Sequence, residues 1–328
     1  MKILVTGVAG LLGSRMAEWI LDNIPDCKVV GIDDLSGGYV DNVDDRVEFV
    51  EGDVSGDIDS LFEEHKFDYV YHFAAYAAEG LSPFIRKFNY HSNLVSTANV
   101  VNNCINHGVK RLIFTSSIAT YGDNTPPFSE DQRCDPMDPY GVAKYACEMD
   151  IKIAGNQHGL DWCILRPHNV YGRNQNVWDK YRNVLGIWMN QHMDGKNLTI
   201  FGDGKQKRAF TSIDDCLQPM WKAATDERSS RQIINIGGTK EYTVLETAET
   251  LISVMGGGEI DHLEERHEAK YAWSSHDKSV ELLDYEDKTD LESGIRDMWK
   301  WAKDQPARTQ ESLCDRYEIT KGMYDQWK

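Results

Sequence analysis

Short apolar runs punctuate the first half of the chain at regular intervals. Ile3–Thr6, Lys28–Ile32, Val47–Glu51, Tyr69–Phe73, Arg111–Thr115 and Trp162–Leu165 are rich in β-branched and aromatic residues and have strand length. Between them lie segments with apolar residues at helical spacing, among them Leu11–Leu21, Ile85–His107 and Tyr140–His158. Strands alternating with helices predict an α/β fold with a parallel sheet covered on both faces, right-handed crossovers, and ligands at the carboxyl ends of the strands. After Gly172 the alternation breaks down. Helical patterns at Val177–Gln191, Ile213–Ala224, Val244–Met255 and Asp290–Lys303 mix with short strands at Leu198–Phe201 and Ile233–Ile236. The expected organisation is therefore a sheet domain over residues 1–172 and a smaller, mixed α/β, C-terminal substrate domain over 173–328, with the chain crossing between the two. Trp299 and Trp301 mark the last helix as packed, and from Gln305 onward a polar tail or a final docked helix is expected.

Composition narrows the function classes. With 41% hydrophobic and 27% charged residues in 328, the chain has the make-up of an ordinary globular protein with a sizeable core. Its formal net charge of -18 argues against nucleic acid as a partner, since the phosphate backbone would be repelled. The seven cysteines (Cys27, Cys104, Cys134, Cys147, Cys163, Cys216 and Cys314) form no C-x-x-C pair and the ten histidines no ligand cluster, so neither a disulfide framework nor a metal is expected. Reduced thiols fit a cytoplasmic protein. No apolar run reaches membrane-spanning length, and Met1-Lys2 leads straight into a strand with no signal-peptide pattern.

The first strand continues into chemistry. Residues 3–13 read I-L-V-T-G-V-A-G-L-L-G, a strand, a G-x-x-G-x-x-G turn and the start of a helix. Gly7 permits the tight turn, Gly10 lets the backbone approach a pyrophosphate, and Gly13 lets the helix pack on the strand. Leu11 and Leu12 open that helix, whose free N–H groups face the phosphates. Asp33 and Asp34 end the second strand, where a carboxylate accepts hydrogen bonds from the adenosine ribose and repels a 2′-phosphate, which favours NAD over NADP. Asp53 and Val54 close the third strand beside the adenine, and Phe73, Ala74 and Ala75 close the fourth with little bulk. Together these predict a Rossmann-type doubly wound parallel sheet that binds NAD.

A catalytic constellation follows. Tyr140 and Lys144 lie four residues apart at a helix start and share one face, where the ammonium, together with the positive nicotinamide ring, would favour the phenolate. Ser117, at the end of the fifth strand in F-T-S-S-I-A-T-Y-G, can hydrogen-bond a substrate hydroxyl and relay its proton to Tyr140. Taken singly, Y-x-x-x-K is commonly a solvated helix pair and a Ser-rich strand end is turn chemistry. Beside the glycine turn, a catalytic role is the stronger reading.

These residues resemble the extended short-chain dehydrogenase/reductase family, which contains UDP-galactose 4-epimerases, NDP-sugar 4,6-dehydratases and UDP-glucuronate decarboxylases. The resemblance covers nearly the whole chain and includes L-R-P-H-N-V-Y-G (165–172), G-D-G-K-Q-K-R-A-F-T-S-I-D-D (202–215), I-N-I-G-G (234–238) and E-R-H-E (265–268). It is specific for the family and less so for the member. It implies an NAD-dependent nucleotide-sugar enzyme with a UDP-linked substrate, in which Tyr140 takes a sugar proton, hydride passes to bound NAD, and a 4-keto sugar forms transiently. Ile118 and Ala119 stand where the dehydratases carry an acid–base pair, so the resemblance favours a 4-epimerase of the UDP-glucose/UDP-galactose type over a dehydratase, a decarboxylase or a net oxidoreductase. A non-catalytic nucleotide-binding protein is a further alternative, disfavoured by the intact Tyr140 and Lys144. Ala77 departs from the Lys that the galactose epimerases place there. By resemblance, Asn169, Asn183, Arg208 and Arg266 hold the nucleotide diphosphate side, Asn93 supports the cofactor side, and Trp273 stands near a gate beside the sugar. A homodimer is implied, joined by a four-helix bundle of Ile85–His107 and Tyr140–His158.

Overall fold

The computed structural model describes residues 1–266, 268–308 and 317–327. Cys314 and the His267 of E-R-H-E lie outside the described residues. The chain runs β1 (Lys2–Thr6), α1 (Leu11–Asn23), β2 (Lys28–Asp33), β3 (Glu48–Glu51), α2 (Asp59–His65), β4 (Tyr69–His72), α3 (Arg86–Tyr90), α4 (Ser96–Asn106), β5 (Arg111–Thr115), α5 (Pro139–His158) and β6 (Trp162–Pro167). It continues through β7 (Val170–Tyr171), α6 (Val184–Met193), β8 (Leu198–Phe201), β9 (Lys207–Ala209), β10 (Thr211–Ser212), α7 (Ile213–Thr225), β11 (Gln232–Ile236), β12 (Glu241–Thr243), α8 (Val244–Met255), β13 (Ile260–Leu263), β14 (Tyr271–Ala272), α9 (Asp277–Leu283) and α10 (Leu291–Ala302).

Seven strands form one parallel sheet in the order β3-β2-β1-β4-β5-β6-β11. The order reverses between β1 and β4, which opens a crevice at their carboxyl ends. The seventh strand comes from beyond Gly172: after its excursion the chain returns to the sheet through α7 and β11, and α7 packs beside α1. One face of the sheet is covered by Met16 and Ile20 of α1, Leu217 and Met220 of α7, and Leu283 of α9. The other is covered by Phe62 of α2, Val100, Val101 and Cys104 of α4, and Cys147 and Ile151 of α5. Strands buried on both faces explain why their sequences are apolar throughout rather than alternating. A separate core joins Leu185 and Trp188 of α6, Leu198 and Ile200 of β8, Ala248 and Leu251 of α8, and Ile295 and Met298 of α10. No helix among the described residues is long and apolar enough to cross a membrane.

Two expected helices differ. The continuous helix over Ile85–His107 is interrupted by a wide π-turn at His91–Val95. There Ser96 Oγ donates to Ser92 O (2.7 Å) and Thr97 Oγ1 to Asn93 O (2.6 Å), so side chains compete for carbonyls that a regular helix would use. The helix expected from Val177 begins at Val184, because Asn183 adopts φ 36° and its Oδ1 accepts the N–H of Leu185. By contrast α5 starts and stops where chemistry dictates, with Asp138 capping its first turn and Gly159 (φ 76°) ending it. Trp299 and Trp301 pack against the second core as expected. Among the described residues, 317–327 form a docked segment with one short 3-10 turn at Asp325–Trp327: Glu318 accepts the backbone N–H groups of Lys87 (2.7 Å) and Phe88 (2.8 Å), and Trp327 is buried with Phe84 and Tyr181.

A Cβ built on Gly13 would stand 2.1 Å from Gly7 O and 2.7 Å from Val8 Cα, both backbone atoms that cannot give way. Gly13→Ala is expected to destabilise by at least about 3 kcal/mol in urea titrations. Gly52→Ala, whose Cβ would meet only the flexible Ile32 side chain at 3.4 Å, should stay within about 1 kcal/mol of the parent.

Candidate active site

A cavity of about 1590 Å³ runs along the carboxyl edge of the sheet and out under α6 and β9. Its first wall is the glycine turn. Gly7 (φ 70°) donates to Ile32 O at 2.8 Å, and a Cβ on it would lie 2.7 Å from Ala74 N, so the end of β4 passes directly against the turn. Asp33 is 8% exposed; its Oδ2 accepts Ala9 N (2.9 Å) and its Oδ1 accepts Leu35 N (2.8 Å). Burial raises its carboxyl pKa, and those two N–H bonds pull it back. Asp34 and Asp53 also line the wall, each accepting an N–H two residues on, from Ser36 and Ser55. Leu11, Leu12, Gly13, Val54, Phe73, Ala74 and Ala75 complete it. These residues fit a dinucleotide: the nearest atom to a Cβ on Gly10 is Gly7 O at 3.4 Å, the start of α1 faces the space, and Thr115 Oγ1 is buried there with no hydrogen-bond partner among the described residues.

Ser117, Tyr140 and Lys144 meet at the centre. Ser117 caps the short turn Ile118–Thr120, its Oγ accepting Ala119 N at 3.1 Å. Lys144 Nζ donates to Thr115 O (2.8 Å) and lies 5.9 Å from the Tyr140 ring centre; burial brings its pKa down to about 8. Burial, with the charge of Glu79, raises the Tyr140 phenol pKa above its ordinary value, while the Ser117 hydroxyl acts in the opposite direction.

Beneath the triad lies a buried ion pair. Glu148 of α5 receives Arg166 of β6 through Nε (2.8 Å) and Nη2 (2.6 Å), and also accepts Ser116 Oγ at 2.5 Å. Arg166 stacks over Tyr121 at 4.6 Å, whose hydroxyl donates to Asn235 of β11 at 2.7 Å.

On the far side, Arg208 of β9 and Arg266 both reach Glu268 Oε2, at 3.4 and 3.0 Å, and Arg266 lies over Phe201 at 4.4 Å. Asn169 (φ 42°) donates to Ala209 O at 2.9 Å. Asn183 donates to Val170 O at 2.6 Å. All four line the cavity. Asn93 does not. It is buried behind the wall, where its Oδ1 accepts Tyr76 N (3.0 Å) and its Nδ2 bonds Tyr76 O and Asn89, so it shapes the β4 loop from behind. Trp273 is also off the wall; its carbonyl accepts Phe128 N at 2.9 Å and its ring meets Tyr271. Sequence reasoning missed Glu79, Arg182, Tyr324 and Trp327, all on the cavity wall. Glu79 stands two residues after Ala77, and the departure from the galactose epimerases at Ala77 was the available signal.

The profile of the NAD dependent epimerase/dehydratase family matches residues 3–237. The chain is 30% identical over 305 residues to a putative UDP-glucose 4-epimerase of Methanocaldococcus jannaschii, covering 92% of this chain and 98% of that one. It superposes on the crystal structure of UDP-glucose 4-epimerase with UDP-glucose from Thermotoga maritima with a TM-score of 0.87 at 29% identity, over 92% of this chain and 98% of that one. It superposes equally far, with a TM-score of 0.84 at 29% identity over 92% and 98%, on UDP-glucuronic acid 4-epimerase from Bacillus cereus in complex with UDP-glucuronic acid and NAD.

The buried pair generates a stability prediction. Glu148→Ala strands the Arg166 charge, which is 2% exposed, and should cost about 3–5 kcal/mol in urea unfolding. Replacing both, Glu148→Leu with Arg166→Met, should recover most of that loss. A double variant no more stable than Glu148→Ala would show that the pair is not what holds these elements.

Proposed function

The chain belongs to the NAD dependent epimerase/dehydratase family, and we propose that it inverts carbon 4 of a UDP-linked hexose of the glucose/galactose type, with NAD as its cofactor. The observation that carries this reading is the convergence of Ser117, Tyr140 and Lys144 on a cavity whose wall directly after Ser117 is Ile118 and Ala119. Neither can move a proton, and inversion at carbon 4 requires no acid–base pair there. The similarity to 4-epimerases supports the same class.

The glycine turn and the start of α1 hold the pyrophosphate, Asp33 the adenosine ribose, and Lys144 the nicotinamide ribose. NAD, when bound, supplies the hydride acceptor and donor. Ser117 hydrogen-bonds the 4-hydroxyl and relays its proton to Tyr140, which acts as the phenolate that the Lys144 ammonium favours, becomes the neutral phenol, and returns the proton when the 4-keto sugar is reduced. Arg208, Arg266 and Asn169 engage the diphosphate, which anchors the nucleotide while the sugar turns over to present its other face. Positive groups gathered at this end explain how a chain of net charge -18 takes a doubly charged ligand.

We further propose a homodimer through a four-helix bundle. Val142, Met149 and Ile153 form an exposed apolar stripe on α5, and Val95 is exposed beside it on the neighbouring helical segment. An apolar stripe of this kind is what a two-fold helix packing buries.

Incubation with UDP-glucose, read by NMR, should give UDP-galactose with no net NADH. Tyr140→Phe should lose about 10²- to 10⁴-fold in rate while retaining NAD. A 4-keto-6-deoxy product, or stoichiometric NADH, would refute the epimerase. Light scattering should report a dimer, and Met149→Glu with Ile153→Glu should report a monomer; a parent protein that is already monomeric would refute the interface.

A further inference from the structure

Glu79 stands on the loop after β4, between buried Ala78 and Leu81, yet its own side chain is accessible because it opens into the cavity. Among the described residues its carboxylate makes no hydrogen bond and no ion pair, whereas its backbone is firmly held. Ser82 Oγ donates to Glu79 O at 2.8 Å, lies 3.3 Å from Asp138 Oδ1, and accepts the N–H of Tyr140 at 3.2 Å. One buried hydroxyl thus ties Glu79 to the first turn of α5. The next residue faces the other way: a Cβ on Gly80 would lie 3.3 Å from the Trp327 ring and 3.7 Å from Arg266 Nη1. Trp327 is fixed edge-on against Phe84 (6.1 Å), Tyr181 (5.4 Å) and Tyr324 (5.1 Å). Glu79 therefore stands between the proton-transfer phenol and the two arginines. A nucleotide sugar whose diphosphate meets Arg208 and Arg266 and whose reacting hydroxyl meets Tyr140 must lay its ring across Glu79.

The charges around this position are spoken for. The largest cationic influences on Glu79 are Arg208 and Arg266, opposed by Asp138 and Glu268. Both arginines already share Glu268, and the diphosphate takes them up. Arg182, whose charge reaches Tyr140, is ion-paired at 2.8 Å with the fully buried Asp179. A carboxylate on the sugar would meet the like charges of Glu79 and Asp138. Hydroxyls or an ammonium would meet an acceptor with no other donor, beside an aromatic wall suited to the apolar face of a sugar ring.

The geometry points to Glu79 as the residue that selects the sugar, accepting hydrogen bonds from its hydroxyl or ammonium groups and rejecting a ring that carries a carboxylate. The substrate class is a neutral or amino hexose, not a uronic acid. This rests on the nucleotide-sugar reading above and deepens it. Relatives acting on UDP-glucose and on UDP-glucuronic acid match this chain at the same 29% identity, so overall similarity does not make the choice. Enclosure of the carboxylate by the cavity walls, with the charge of Asp138, pushes the Glu79 carboxyl up to about 7.

The test is calorimetric titration, at pH 8, of NAD-loaded parent and Glu79→Gln protein with UDP, UDP-glucose and UDP-glucuronic acid. The parent should bind UDP-glucose at least about tenfold more tightly than UDP-glucuronic acid, a charged hydrogen bond being worth about 10- to 100-fold. In Glu79→Gln, UDP should bind as in the parent and that preference should collapse to within about threefold, with NAD content and melting temperature unchanged. An unchanged preference, or a parent that prefers the uronic acid, overturns the inference while leaving the nucleotide-sugar reading intact. A 4-keto-6-deoxy product made by the parent and lost in Glu79→Gln overturns it too, by making Glu79 a catalytic acid. Failure of UDP itself to bind either protein overturns the nucleotide-sugar reading, and this inference with it.

Discussion

The ion pair between Arg166 and Glu148 is the constraint on which the site depends. The triad is assembled from two elements, Ser117 at the end of β5 and Tyr140 with Lys144 on α5, and proton transfer between them tolerates little drift. Glu148 lies one turn beyond Lys144 on the same helix, fully buried, with one oxygen shared by Arg166 Nε and Ser116 Oγ and the other taken by Arg166 Nη2. A single carboxylate therefore locks α5 to β6 and to the residue immediately before Ser117. Removing two charges from water is expensive, and an apolar pair of equal volume would hold the layers together as well or better. What the bidentate geometry adds is direction, since the planar guanidinium fixes where the helix sits along the strand. Tyr121 stacks on that guanidinium and reaches Asn235, which extends the fixed frame to the last strand of the sheet.

On this frame, burial tunes the reacting groups. Lys144 is desolvated to about 8 and Tyr140 is raised, so neither rests far into its charged form in the free protein at mildly alkaline pH. The site holds its proton and its positive charge close together without committing either. Glu79 contributes to that balance, since its charge opposes a phenolate.

Much of this was legible in the sequence because it is local. Buried parallel strands are continuous apolar runs, and the six read from the first half coincide with β1 to β6 to within about two residues at their ends. The glycine turn was legible because each glycine answers a steric demand that its neighbours impose within a few positions, such as Gly13 against Gly7 O. The triad was legible because a helix repeat puts Tyr140 and Lys144 on one face. What failed to show depends on distant parts of the chain. Asn93 sits on the expected helix, but it lies within the π-turn and behind the cavity wall, where it holds Tyr76. The helix expected at Val177 has the right spacing, yet Asn183 in the left-handed region starts it seven residues later. Glu79 is a lone acid in a loop with no periodicity to interpret. Trp327 reaches its place only because Glu318 fastens the end of the chain to the start of α3, some 230 residues away.

That division follows function. In the proposed reaction, the groups that act on any sugar sit on β1, β5 and α5, where sheet packing and a buried ion pair hold them. The groups proposed to face the variable part of the substrate come from the β4 loop, from the segment ahead of α6 and from residues 317–327, which are joined by side-chain contacts rather than by ladder hydrogen bonds. Replacing Glu79 alters no strand, no cap and no core contact, so this position is free to change while the frame stays as it is. Positions of this kind are where a sequence can change what it binds without changing its fold.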